Sequence, residues 1–434
     1  MSELDLATVT RLVADAAGAA AGSSIPGYVV GVEQGGDQRI VARGTTIAGG
    51  GSPIDERTIF RWCSITKTAM AAVVLELEDR GVVSLDEPIG RRWEFLGDPH
   101  LSELTPRILL THMSGLEAEL PEGLAEFGSG DDALARAVSE FGRLRQFAPP
   151  GAAWGYCNTG FWLLGRLIET LVGSTVERAV HELLLNPNGL ASTFTSVGEI
   201  PSADLSRLAL PHARDTDHAT GLARTTEAVM PRARFASGGL LGSTADLLRF
   251  GRSQLQMTDR LDRVAQILVP TDSMSRSQGL GWIVEQTPAA TMFDHSGFFV
   301  GYASQLIVVP AADLVVTMVG NGAAAWDIGE AVRAEIRRLL GAPGGDTPTD
   351  MADAEPGVYD YPEVDHISIS GAGSRLEMHV VERDGRVESS ALRPVPTGGH
   401  EVVAGEFSGC TIAALPADTA VIRLAERLGR RRDG

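Results

Sequence analysis

The chain has 434 residues, of which 37 are basic and 56 acidic, giving a formal charge of −19. That excess repels phosphate backbones and excludes a nucleic-acid-binding role. A hydrophobic content of 44% at this length suits a globular protein with a sizeable core, and no stretch is long and apolar enough to span a membrane. Cys63, Cys157 and Cys410 are too scattered to form a disulfide framework or a zinc site.

The chain opens Met1-Ser2-Glu3-Leu4-Asp5-Leu6-Ala7, acidic where a secretory signal is basic and then continuously apolar. No signal peptide is expected, and the cytoplasm is the expected compartment. The segment Arg61-Trp62-Cys63-Ser64-Ile65-Thr66-Lys67-Thr68 follows, and Lys67 is the sole lysine among the 37 basic residues. A guanidinium stays protonated, whereas a desolvated ammonium can lose its proton and act as a base. The mostly apolar run from Thr68 to Arg80, ended by Gly81, predicts a helix with Ser64 at its N-terminus. Residues three apart on a helix share a face, so both heads point into one cleft. The unpaired N–H groups of the helix start favour negative charge on the serine oxygen. By itself the pair also fits a capping serine and a surface lysine.

Further on, Tyr156-Cys157-Asn158 follows Pro149-Pro150-Gly151-Ala152-Ala153-Trp154-Gly155. It sets a phenol that can carry a proton beside a carboxamide that can grip a substrate amide, although a packed core tyrosine and a turn asparagine fit equally. Near residue 295 the chain reads Phe293-Asp294-His295-Ser296-Gly297-Phe298-Phe299. Here an imidazole precedes a pair of small residues at the start of an apolar run, as on an active-site edge strand. A structural histidine is the rival reading.

S-x-x-K, Y-x-N and H-x-G in this order resemble the serine β-lactamase and penicillin-binding-protein superfamily, specifically its class C-like branch of esterases, D-aminopeptidases and D,D-peptidases. The connecting text at residues 109–116, 238–246 and 279–282 looks like the family too, and the resemblance covers roughly residues 8–340. It implies an α/β (α+β) fold: an antiparallel sheet flanked by helices, with an all-helical subdomain. It also implies Ser64 as nucleophile, Lys67 as its base and Tyr156 as second proton carrier. His295 is implied to polarise Tyr156 or contact a substrate carboxylate. Asn158, Ser296 and Gly297 are implied to bind substrate, and the backbone N–H groups of Ser64 and Phe298 to form the oxyanion hole. His112, Asp246 and Asp294 read as structural, and Cys63 and Cys157 as small buried thiols without chemistry. His295 stands where β-lactamases carry lysine, so efficient penicillin hydrolysis is not expected.

Residues 341–352 are rich in Gly and Pro and predict a linker after a catalytic domain spanning 1–340. Short alternating stretches between 353 and 434 predict a small antiparallel β-domain, a meander or barrel. It either stabilises the chain or walls the site. Lipocalin-like domains of this size follow the catalytic domain in D-aminopeptidases of this superfamily and in penicillin-binding-protein-type thioesterases, which release and cyclise nonribosomal peptides. In the latter an arginine near the chain end holds substrate. Arg427, Arg430, Arg431 and Arg432 are candidates here, with Arg431 preferred. A basic tail is otherwise a solvated one.

The resemblance therefore implies a serine acyl-enzyme hydrolase or acyltransferase without metal or cofactor, acting on a small-molecule or peptide ester, thioester or amide, including a thioester on a carrier protein. Its leading form is a stand-alone nonribosomal peptide cyclase. A D-stereospecific aminopeptidase or carboxylesterase is the alternative of the same class, and a catalytically silent ligand-binding protein that of another.

Overall fold

The computed structural model describes residues 5–21, 25–91, 99–120, 124–214, 222–224, 230–271, 275–322, 324–342, 355–362, 364, 366–372, 375–394, 400–403, 411–415, 418–424 and 426–432. Most of the expected linker and Cys410 lie outside them. No helix among these residues is long and apolar enough to cross a membrane.

A nine-stranded sheet organises the larger part. Its strands are β1 (Gly27–Gln34), β2 (Asp37–Ile47), β3 (Gly50–Pro53), β4 (Val269–Pro270), β5 (Arg276–Gln278), β6 (Ile283–Gln286), β7 (Thr291–Phe299), β8 (Tyr302–Val309) and β9 (Leu314–Gly320). They are arranged β3-β2-β1-β9-β8-β7-β6-β5-β4, each neighbouring pair antiparallel. The central strands β1, β9 and β8 are buried almost throughout and mostly apolar because both faces are covered. Successive side chains alternate between two cores. On β9, Val315 and Val319 join the core beneath the site, whereas Leu314, Val316 and Met318 face the other way.

The second core is capped by α1 (Leu6–Ala21), through Val9, Val13 and Ala17, and by the terminal helix through Ile328, Val332 and Ile336. These positions recur every four residues, which gives each helix one apolar stripe. On the opposite face lie α2 (Thr66–Asp79), α3 (Asn158–Val172) and α4 (Thr244–Gln256), followed in sequence by the terminal α5 (Ala325–Leu339). Helix α2 is buried from Thr66 to Leu75. It ends where expected: Gly81 has φ +69° and its N–H bonds the Glu78 carbonyl at 2.8 Å, while the Val82 N–H bonds that of Leu77 at 2.9 Å.

The last eight strands form a closed barrel in sequence order: β10 (Gly357–Asp360), β11 (His366–Ala372), β12 (Arg375–Val381), β13 (Val387–Pro394), β14 (His400–Val402), β15 (Thr411–Leu415), β16 (Asp418–Leu424) and β17 (Arg427–Arg431). Pairing of β10 with β17, Tyr359 opposite Arg431, closes it and leaves no open edge. Its interior holds Tyr359, Ile367, Met378, Val402, Ile412 and Leu424 among others. The fold is thus the expected β-lactamase-like sheet-and-helix body followed by a small antiparallel β-barrel.

Candidate active site

Ser64 lies in a 3-10 turn, Cys63–Ile65, that runs directly into α2. Cys63 holds φ +51°, left-handed for a residue with a side chain, a conformation costing about 1–3 kcal/mol that surrounding structure must enforce. Two bonds do so. The Trp62 N–H donates to the Leu240 carbonyl at 2.9 Å, and the Ser304 hydroxyl to the Trp62 carbonyl at 2.7 Å. The Cys63 thiol is buried, and burial pushes it up to about 12, so it is inert beside the serine. Cys157 is also buried, its sulfur 2.9 Å from the Thr159 hydroxyl.

Lys67, the second residue of α2 and one turn on from Ser64, is fully buried. Its Nζ is 3.1 Å from Ser64 Oγ and donates to the Ser237 carbonyl at 2.7 Å. Burial drives its pKa well below the ordinary lysine range, helped by the guanidinium groups of Arg234 and Arg427 and opposed by Glu119. A neutral amine held by a donated N–H keeps its lone pair for the serine proton. Tyr156 completes the group. Its ring lies 4.8 Å from Lys67 Nζ, and its hydroxyl is hydrogen-bonded to Ser64. Burial raises the phenol above its usual value, so it rests protonated and able to donate.

His295 sits on β7, buried, with Nδ1 2.6 Å from the Ser296 carbonyl and its ring centroid 6.5 Å from that of Tyr156. Burial, with Lys67 nearby, lowers it to about 3. The imidazole is therefore neutral, and the bond to Ser296 makes Nδ1 the protonated nitrogen and Nε2 an acceptor. That suits a partner for a phenol O–H.

The glycine of H-x-G has a steric reason. A Cβ at Gly297 would lie 2.7 Å from the Trp62 carbonyl oxygen, 2.8 Å from Cys63 Cβ and 2.4 Å from Ser304 Oγ. Only glycine lets β7 come this close to the nucleophile turn. Ser296 is half-buried, whereas the Phe298 side chain is 55% exposed and meets Trp326 edge-on at 6.2 Å. Pairing of β6 with β7 ends at Asp294, so among the described strands residues 295–299 leave that edge of β7 open.

Asn158 begins α3 and its amide donates to Glu119, which also binds Arg234 and lies 3.8 Å from Arg427. Glu119 and Arg234 carried no readable signal in the sequence: neither stands in a motif of fixed spacing. Of the four terminal arginines it is Arg427 that reaches this cluster. The preferred candidate, Arg431, instead pairs with Glu355 at 2.8 Å on the barrel, Arg430 bonds the Phe147 carbonyl at 2.9 Å, and Arg432 pairs with Asp360 at 2.6 Å. The cause is position along the strand: Arg427 opens β17 beside Glu426, whose carbonyl takes the Tyr156 N–H, whereas Arg431, on the same face, lies at the far end, and composition does not reveal that.

The residues read as structural are bound as such. Asp246 accepts from the Ser192 N–H at 2.7 Å and from Arg249 at 2.7 Å. Asp294 is buried 3.7 Å from Arg276. His112 accepts the Cys157 N–H on Nδ1 at 3.0 Å, and its ring lies 4.5 Å from that of Tyr156.

Residues 9–338 match the Beta-lactamase family model. Penicillin-binding protein 4 of Amycolatopsis lactamdurans is 26% identical over 356 residues, 76% of this chain and 91% of that protein. Among solved structures, that of SurE superposes with a TM-score of 0.79 over 98% of this chain and 99% of its own at 22% identity. A class C beta lactamase from Rhodobacter sphaeroides gives 0.62 over 76% and 99% at 21%. With the serine, the neutral lysine and the tyrosine assembled in a match of this extent, the chain belongs to the beta-lactamase family of serine hydrolases and acyltransferases.

Proposed function

We propose that the protein is a peptidyl acyltransferase that takes a linear peptide from an ester or thioester onto Ser64 and releases it by attack of the peptide's own amine, giving a macrocycle. In this reading Lys67 takes the Ser64 proton as Oγ bonds to the carbonyl carbon. Tyr156 gives its proton to the leaving thiol or alcohol as the carbonyl–leaving-group bond breaks, and regains one from Lys67. In the second half the amine loses its proton to the same pair, which returns a proton to Ser64 Oγ as the bond to the acyl carbon breaks. The backbone N–H groups of Ser64 and Phe298 face the developing oxyanion, and His295 accepts from the tyrosine.

The observation that carries the peptidyl reading is the charge around Asn158. Glu119 is committed to Asn158 and Arg234, and with Arg427 beside it two guanidinium groups surround one carboxylate. With its carboxylate already taken, Glu119 offers no counter-ion to the free α-ammonium of an aminoacyl donor, which favours a donor whose α-nitrogen is acylated. This disfavours the aminopeptidase alternative. The open edge of β7 at residues 295–299 offers backbone groups to an extended peptide. The likeness to SurE extends through the barrel, and a second SurE structure contains D-Leu, in keeping with a D-residue at the acyl position.

Mass spectrometry of products from a linear peptidyl thioester with a C-terminal D-residue and a free N-terminal amine tests the proposal. A product one water lighter than the acid supports it. Linear acid alone identifies a hydrolase and overturns the cyclase reading, and loss of both in Ser64→Ala assigns the chemistry to the serine.

A further inference from the structure

We infer that the β-barrel is a positioning element for Tyr156, its last hairpin holding the backbone of the tyrosine against Ser64. The inference rests on the reading of Tyr156 as the proton carrier. It concerns what keeps the phenol in place.

Three consecutive amides fix this stretch. The Gly155 N–H donates to the His112 carbonyl at 3.0 Å and the Cys157 N–H to His112 Nδ1 at 3.0 Å. The amide between them, that of Tyr156, donates at 2.7 Å to the carbonyl of Glu426 in the turn joining β16 to β17. The flanking anchors thus come from the catalytic body and the central one from the barrel. Glu426 holds φ +65°, a left-handed conformation that the tight pairing of Leu424 with Arg427 imposes. The same hairpin closes over the preceding glycine: a Cβ at Gly155 would lie 2.5 Å from Leu428 Cγ and 3.0 Å from its Cδ1. Leu428 and Val421 are buried with Phe147, Ala148 and Ala153. Arg430 bonds the Phe147 carbonyl at 2.9 Å, and the Arg423 guanidinium lies over Trp154 at 5.2 Å. Both ends of the loop that carries Tyr156 are therefore held by β16 and β17. A shift of about 1 Å in a reacting group can cost 10²-fold in rate, so the seating of the hairpin sets turnover even for a donor too short to touch the barrel.

The test measures kcat and KM on the full chain with an N-acetyl-D-leucyl thioester, for Gly155→Ala, Leu428→Ala, the double variant and Tyr156→Phe, with thermal unfolding of each. The methyl of Gly155→Ala pushes on Leu428, and Leu428→Ala makes room for it. Gly155→Ala is expected to lower kcat by about tenfold or more with KM within about twofold, and the double variant to recover most of that loss. A folded Gly155→Ala enzyme with wild-type kcat, or a loss that Leu428→Ala does not relieve, overturns the barrel's role while an inactive Tyr156→Phe leaves the tyrosine's assignment standing. Wild-type kcat in Tyr156→Phe overturns the assignment itself.

Discussion

A fully buried lysine is the source of this site's chemistry. Lys67 is deprotonated in the folded protein at a pH where it is charged in the unfolded chain. The unfolded state thus binds the extra proton, and the contribution of Lys67 to stability rises with pH from its lowered folded value up to the ordinary lysine value, roughly 10.4. Two results follow. Lys67→Met melts higher than wild type at neutral pH, and its advantage shrinks as pH approaches 10. The kcat/KM of the wild type falls toward acid as Lys67 gains its proton, with no limb near 6.5 from His295, which burial holds at about 3. Thermal melts at several pH values and a pH–rate profile check both. A melting difference that grows with pH, or an alkaline limb near the ordinary lysine value, would falsify the neutral-lysine reading.

At the level of elements, the site forms where the nucleophile turn, α2, the loop before α3 and β7 converge, and β7 approaches the turn at Gly297. Gly297→Ala forces the strand away from the Trp62 carbonyl or displaces Ser304, whose hydroxyl braces that carbonyl. Displacing an oxyanion donor typically costs about 3 kcal/mol, a hundredfold or more in kcat. The expected outcome is a loss of that order in acylation of Ser64 by a fluorophosphonate, with the melting temperature little altered. Labelling at the wild-type rate refutes a steric role for this glycine.

The motifs on α2, on the loop before α3 and on β7 were legible in the sequence because each is local. S-x-x-K needs one helical turn and H-x-G one strand. Glu119, Arg234 and Arg427 were not, because they meet only after residues more than a hundred positions apart are folded together. Choosing among the terminal arginines failed for the same reason. Their roles depend on how far along β17 each lies from the hairpin that meets the Tyr156 loop.

Across the whole molecule the question is whether barrel and body behave as one unit. Their alternating strands showed that a small β-domain follows the sheet, but not that it is joined to it, since the joint is made by side chains with no pattern of their own. Arg145 is the centre of that joint. It binds Glu117 at 2.5 Å, Asp360 of β10 at 3.1 Å and the Tyr361 carbonyl at 3.2 Å. The Glu117 side chain is 1% exposed, so Arg145→Met leaves a buried carboxylate without its guanidinium and also cuts the tie to the barrel. Breaking a fully buried pair costs about 3–5 kcal/mol; with Arg145 about a third exposed the loss is reduced to roughly 2 kcal/mol. For a protein of this size that lowers the melting temperature by roughly 2–3 °C. Glu117→Gln added to Arg145→Met removes the stranded charge but not the severed tie, so calorimetry should recover part of the loss and no more. Full recovery would mean that Arg145 serves Glu117 alone and that the barrel is held by the apolar cluster around Leu428. An unchanged melting temperature in the single variant would mean that the ion pair is exposed to solvent in solution and does not join the two parts.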